Sequence, residues 1–262
     1  MYYYARDYGI NRIVAKPNSR CHGMGLGIIL FDDYPPAFPG DVRNPSAFPY
    51  PIQYEVAEGV NNETLVFGTD IGSCRKAVIK AAKKLEKLGC RAISGECGYF
   101  SLFQKDVADT VDIPAFMSSL LQVPLAQRVI SKNKSVGIAA ALRGYLTEEH
   151  LINVGIDPKS NIKIFGVEDD YPCHEFSNLW DHSIRPEIPC ADYDTAESEF
   201  IFACVDFVKK NPDVGAMILE CSGHPTFGRA IQREIDMPIF DWGTLMDYAY
   251  SIVVHRDYYG HV

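Results

Sequence analysis

The chain contains a long-period echo of itself. The stretch "LGCRAISGECGYF" (Leu88–Phe100) returns as "DVGAMILECSGHP" (Asp213–Pro225), matching Ala92 to Ala216, Glu96 to Glu220 and Cys97 to Cys221. Downstream of each cysteine a helical stretch leads to "DIPAF" (Asp112–Phe116) in one copy and "DMPIF" (Asp236–Phe240) in the other. The two cysteines stand 124 residues apart in a chain of 262, about half its length. A repeat of this size points to a fold made from two copies of one supersecondary unit.

The unit is read from the pattern around it. Short apolar runs predict buried strands at "GLGIILF", "CRAISGE", "VDIPAFMS", "SVGIAAA", "NIKIFGV", "GAMILE" and "MPIFD". Helical periods fall between them. "SCRKAVIKAAKKLEKLG" has Ser73 as a start signal and Gly89 as a stop, and "DTAESEFIFACVDFVKKN" has Asp194 as its cap. Further helices are expected over "LFQKDVADT", "LLQVPLAQRVI", "TEEHLINVG", "TFGRAIQREI" and from about Thr244 to Val254. Strands alternating with helices predict an α/β fold of parallel sheets. Unbroken apolar strands are covered on both faces.

Two segments have no helical or strand period. Asp32–Pro51 holds six prolines in twenty residues, which excludes helix and central strand. Its aromatics predict an ordered loop packed over something, as loops over α/β sites are. Asp169–Asp194 reads as an insertion in the second half that could narrow the cleft or pack as a surface loop; His174, Trp180 and His182 are its residues of interest.

Charge limits the partners. With 25 basic and 34 acidic residues the net charge is −9, which argues against nucleic acid. The densest basic run, Lys80–Gly89, reads as the wet face of a helix. The N-terminus lacks an apolar signal-peptide run and no stretch has membrane length, so a cytoplasmic location with no membrane partner is expected. The eight cysteines are then thiols, and without a CxxC pair no structural metal is expected. Cys21, Cys74, Cys90, Cys173, Cys190 and Cys204 read as structural.

Cys97 and Cys221 differ because each ends a matched strand, where α/β sheets bind ligands. Unpaired helix N–H groups there favour a thiolate or a substrate carboxylate. Two thiols facing each other across a cleft could remove a proton beside a carboxylate on one face and return one on the other. N–H donors on the carboxylate would stabilise the carbanion, and no cofactor is needed.

Taken together, "FPGDVRNPSAFPYPIQYEVAEG", "ISGECGYFSLFQ", "IPAFMSSLLQVPL" and "VGAMILECSGHPTFGRAIQREIDMPIFD" resemble the aspartate/glutamate racemase superfamily. The resemblance implies two pseudo-symmetric three-layer α/β domains with the active site in the cleft between them. The first would comprise 1–118 plus 241–262 and carry Cys97; the second would be 119–240 and carry Cys221. It implies these cysteines as the acid–base pair, with Gly98, Tyr99, Gly223 and Ser222 around the substrate; Ser222 could equally be a helix cap. Ser118 and Ser119 either line the pocket or form a turn. Asp41 and Asn44 either reach the substrate or, as slightly favoured, bond their own loop's backbone. Gly98 and Tyr99 replace the asparagine and threonine common after the first cysteine, and "CSGHP" replaces a threonine-containing run. Glu96 and Glu220 are either supports for the thiols or anchors for loops.

The leading expectation is a cofactor-independent racemase or epimerase of a small carboxylate, an acidic amino acid, assembled as a homodimer or higher oligomer by likeness to relatives. The alternative is a lyase of the same superfamily, of the algal dimethylsulfoniopropionate type. In it the carbanion expels a leaving group from the next carbon, and Tyr99, Phe100, Trp180 and Glu96 would face a sulfonium. A non-catalytic cleft-binding protein is a third reading. Decarboxylases of the superfamily keep one of the two cysteines, which counts against that activity.

Overall fold

A computed structural model describes residues 22–256 and Tyr258; Cys21 and the N-terminal segment lie outside the described residues. Among the described residues, eight strands are interspersed with eight α-helices. The first half runs β1 (Leu26–Leu30), β2 (Ile52–Val56), α1 (Ile71–Leu88), β3 (Ala92–Gly95), α2 (Gln104–Ala108), β4 (Ala115–Phe116) and α3 (Val123–Val129). The second runs β5 (Ser135–Ala140), α4 (Glu148–Asn153), β6 (Ile162–Gly166), α5 (Ser177–Trp180), α6 (Tyr193–Lys210), β7 (Val214–Leu219), α7 (Pro225–Ile235), β8 (Ile239–Phe240) and α8 (Trp242–Val253).

The strands make two four-stranded sheets, ordered β2-β1-β3-β4 and β6-β5-β7-β8, with every pairing parallel. The orders are the same permutation, so the repeat in the sequence is a repeat in the fold. Cys97 follows β3 and Cys221 follows β7, the equivalent strand of each sheet. β3, β5 and β7 are almost wholly buried, as apolar strands covered on both faces must be. One apolar cluster joins Ile29 and Ile93 of the first sheet to Val136 and Ile138 of the second, so the halves share a core. α8 returns to the first sheet, where Trp242 packs with Leu26, Ile28 and Ala92. Among the described residues no helix is long and apolar enough to cross a membrane.

Several boundaries differ from the sequence reading. α1 starts at Ile71, not at Ser73, because the Asp70 carboxylate accepts the Ser73 N–H at 3.1 Å. α6 is capped by Asp192 rather than Asp194, through the Thr195 N–H at 2.9 Å. The last helix begins at Trp242 under an Asp241 cap. "VDIPAFMS" shrinks to the two-residue β4, and β2 emerges from the end of the proline-rich segment. Within that segment Gly40 has φ +107, and a side chain there would meet the Thr226 backbone at 2.9 Å. Only glycine lets the loop lie this close to the start of α7.

Candidate active site

The two cysteines share one pocket, and their local structures match. Each follows its strand and enters a tight turn, Cys97 in extended backbone. The Cys97 carbonyl accepts the Phe100 N–H at 3.0 Å, and the Cys221 carbonyl accepts the His224 N–H at 3.2 Å. The N–H two residues on, of Tyr99 and of Gly223, favours the charged form of each thiol. Such turns leave N–H groups aimed at the strand ends, the arrangement that favours anions.

The pocket encloses about 630 Å³, part of it open to solvent. Besides Cys97 and Cys221 it is lined by Tyr99, Ser222, Gly223 and Asp41, all singled out from the sequence. The proline-rich segment supplies Asp33, Pro35, Pro36, Asp41 and Arg43. The insertion supplies Phe176, Leu179 and Trp180. Phe31, Asn62, Val66, Glu96 and Ala141 complete the wall.

Four expected pocket residues are placed elsewhere. Ser118 and Ser119 are fully buried. The Ser119 hydroxyl donates to the carbonyls of Leu219 and Glu220 at 2.9 and 3.1 Å, and Ser118 accepts the Leu120 N–H, so both hydroxyls hold backbone rather than line the pocket. Asn44 donates to the Ala37 carbonyl at 3.2 Å and accepts from Ser46, which is the backbone role. Gly98 is buried under Glu220, whose Oε1 would lie 1.7 Å from a side chain at that position. Ser222 is no helix cap: α7 begins after His224 with no side-chain cap. His174 is exposed and away from the pocket lining.

Arg43 was not anticipated. Its Nη2 donates to Glu96 Oε1 at 2.7 Å and its Nε to Oε2, a bidentate pair with Glu96 only 1% exposed. Glu96 also accepts the Phe31 N–H. The third nitrogen, Nη1, is buried without a partner. Burial opposes the Arg43 charge, but Glu96 more than restores it, and the group stays cationic. Among the lining residues it is the one lysine or arginine. An arginine amid proline and aromatic residues was the available signal, yet its partner lies 53 residues away.

The insertion crosses the pocket and is tied to the first half. Arg185 donates to Asp33 at 3.0 Å, His182 lies 2.9 Å from the same carboxylate, and Asn62 donates to the Trp180 carbonyl at 2.7 Å. Burial raises the Asp33 pKa, but Arg185 and His182 outweigh it and hold the carboxyl below its ordinary value. Trp180 Nε1 donates to Glu168 at 3.1 Å and the Ser177 hydroxyl bonds the same group. Burial pushes Glu168 up to about 8.

Burial pushes both thiols well above the usual thiol range, and the nearby Glu220 carboxylate adds to the rise. The Tyr99 N–H and then Arg43 pull Cys97 back; at Cys221 the Gly223 N–H does so. Asp41, half-buried and accepting the Arg43 N–H at 2.8 Å, is raised to about 6 by desolvation. Two thiols, one guanidinium with a free donor and an aromatic wall can hold a small carboxylate and exchange a proton beside it.

No family model matches the chain. Its sequence relatives include dimethylsulfoniopropionate lyase 7 of Emiliania huxleyi, 29% identical over 234 residues, covering 84% of this chain and 64% of that protein. Lyase 3 of the same organism is 27% identical over 228 residues, covering 82% and 56%. The chain thus spans less than two thirds of the length of these relatives. Among solved structures, allantoin racemase from Klebsiella pneumoniae superposes with a TM-score of 0.59 at 14% identity, covering 88% of this chain and 87% of that one. Glutamate racemase RacE1 from Bacillus anthracis gives 0.53 at 14% identity, covering 88% and 81%. Arylmalonate decarboxylase gives 0.53 at 13%, covering 87% and 92%. The chain shares the fold of these racemases and of the decarboxylase. Both of these relatives by sequence bear lyase names, whereas the racemase names come from the structural neighbours.

Proposed function

We propose that the protein is a lyase that eliminates a neutral sulfide from a small sulfonium-bearing carboxylate, of the dimethylsulfoniopropionate kind. The carrying observation is the pocket's charge inventory. Arg43 is its one lysine or arginine, with Nη1 unpaired, and much of the remaining wall is aromatic or apolar. One guanidinium serves one carboxylate. An acidic amino acid brings two, and the lining holds no second lysine or arginine for the other, while it already holds the carboxyl groups of Asp33, Asp41 and Glu96. A sulfonium suits such a wall, since aromatic faces attract cations. The names of the sequence relatives support the same reading.

In this account Arg43 Nη1 holds the substrate carboxylate. The α-carbon then lies beside Cys97, the thiol whose charge Arg43 favours. The Cys97 thiolate takes the α-proton, the C–H electrons form the new double bond, and the β-carbon–sulfur bond breaks toward sulfur. The products are an acrylate, a neutral dialkyl sulfide and the protonated thiol. The sulfide leaves without needing a proton, so elimination requires one base where racemisation requires two opposed groups. The cation lost in the reaction is the feature the aromatic wall bound, which eases release.

A proton NMR time course in D₂O with dimethylsulfoniopropionate, and separately with D- and L-aspartate and glutamate, tests the proposal. Vinyl signals of acrylate with no loss of amino-acid α-protons are expected. Loss of an amino-acid α-proton without acrylate would return the racemase reading.

A further inference from the structure

Asp33, Asp41 and Glu96 all line the pocket, but they differ in what already occupies them. Glu96 takes two nitrogens of Arg43 and the Phe31 N–H. Asp33 meets Arg185 with both oxygens, and the Tyr34 N–H and His182 besides. Asp41 accepts the Arg43 N–H on Oδ1 at 2.8 Å, and among the described residues no donor meets its Oδ2. The loop fixes where that oxygen lies. The Val42 N–H donates to the Ser222 carbonyl at 3.3 Å, which ties the proline-rich segment to the turn after β7. Asp41 Oδ2 then sits over Gly223, 3.0 Å from where a side chain there would begin. Gly223 itself lines the pocket, two residues beyond Cys221. Arg43, two residues beyond Asp41, lines the same pocket with its Nη1 unpaired. One short stretch of loop thus brings an unpaired donor and an unpaired carboxylate oxygen to one cavity.

We propose that Asp41 is the residue that selects the substrate's cation: its Oδ2 pairs with the sulfonium while Arg43 Nη1 holds the carboxylate. The proposal rests on the lyase reading above and narrows its substrate to a zwitterion, with one charge for each of these two side chains. The sulfonium then lies on the side of the turn that follows Cys221, and the carboxylate end lies toward Arg43.

The surroundings fit this role. Aromatic faces attract a cation modestly, whereas a carboxylate withdrawn from water attracts it strongly and recovers part of its own desolvation cost. Desolvation raises Asp41 to about 6, so the carboxyl is largely charged at neutral pH. The sulfonium loses its charge as the carbon–sulfur bond breaks. The pair therefore weakens toward the transition state, and it selects and holds the substrate without driving the cleavage. Asp41 is a specificity residue, and the chemistry stays with the thiol.

Calorimetric titration at pH 7.5 with two ligands of one shape tests this. One is 3-(trimethylammonio)propionate, whose amine is a far poorer leaving group than a sulfide. The other is 4,4-dimethylpentanoate, in which carbon replaces the charged nitrogen. Wild type should prefer the cationic ligand. Asp41→Asn keeps an acceptor for the Arg43 N–H and removes the charge. It should cut that preference at least about tenfold, the low end for a close charge pair, and leave the affinity for 4,4-dimethylpentanoate nearly unchanged. Equal weakening of both ligands would mean that Asp41 only holds the loop carrying Arg43. An unchanged preference would mean that the aromatic wall alone reads the cation. Either result overturns the proposal. Should Asp41→Asn not fold, Asp41→Ser is read in the same way, and equal binding of the two ligands by wild type overturns the proposal with no variant at all. Acrylate release by wild type is scored separately. Release together with an unchanged preference in Asp41→Asn sinks the Asp41 role alone; a preference lost in the variant, with no release by wild type, sinks the lyase reading alone.

Discussion

Replacing Arg43 by Met separates what the guanidinium does for the fold from what it does for a substrate. The substitution strands Glu96, 1% exposed, with the Phe31 N–H as its remaining donor. Removing one partner of a buried pair costs about 3–5 kcal/mol. Much of that is the penalty of an isolated charge, so Arg43→Met/Glu96→Gln should regain most of it. Binding behaves otherwise. A hydrogen bond to a charged group contributes roughly 1.5–3 kcal/mol, or about 10- to 150-fold in affinity. Calorimetric titration with propionate, which lacks the reactive vinyl group of acrylate, measures this directly. In the double variant propionate should weaken by that factor and bind no better than propionamide. A folded double variant that binds propionate like wild type would refute the anchor and the charge inventory on which the lyase reading rests.

Two other outcomes follow from the insertion. Glu168 has a folded pKa of about 8 against an ordinary 4.5. Between those values the folded chain holds a proton that the unfolded chain has lost, so stability falls as pH rises through the window. Glu168→Gln stays neutral, and its melting temperature relative to wild type should therefore climb from pH 5 to pH 9; a constant difference counts against a protonated Glu168. Trp180→Ala removes an aromatic face worth about 0.5–2 kcal/mol to a bound cation. Its KM for the sulfonium substrate should rise roughly 2- to 30-fold while propionate affinity changes little. Equal losses for both would mean that Trp180 only shapes the wall.

The sheets were legible because their signals are local. Runs such as "SVGIAAA" and "GAMILE" are buried on both sides and carry their own signature, and the echoed cysteines gave the half-chain period. β2 was missed because it is an edge strand, half-exposed throughout, so "IQYEV" shows no apolar run. Ser73 was mistaken for a cap because a serine three residues into a helix resembles one; the carboxylate of Asp70 outcompetes it for the free N–H. The site was half legible. Cys97, Cys221, Tyr99 and Ser222 sit in or beside the motif that betrays them. Arg43 meets Glu96 across 53 residues, and Asp33 meets Arg185 across 152. No local pattern encodes such pairings. The two readings of Ser118 and Ser119 could not be separated in sequence, because a strand-end serine looks the same whether it faces a ligand or, as here, holds backbone: Ser118 the Leu120 N–H, Ser119 the carbonyls at the end of β7.

The most direct test is acrylate release from dimethylsulfoniopropionate by wild type, Cys97→Ser, Cys221→Ser and the double variant, each checked for native circular dichroism. The account predicts acrylate from wild type, none above background from Cys97→Ser or the double variant, and a reduced but measurable rate from Cys221→Ser. Undiminished release by the double variant would contradict thiol chemistry at this site altogether.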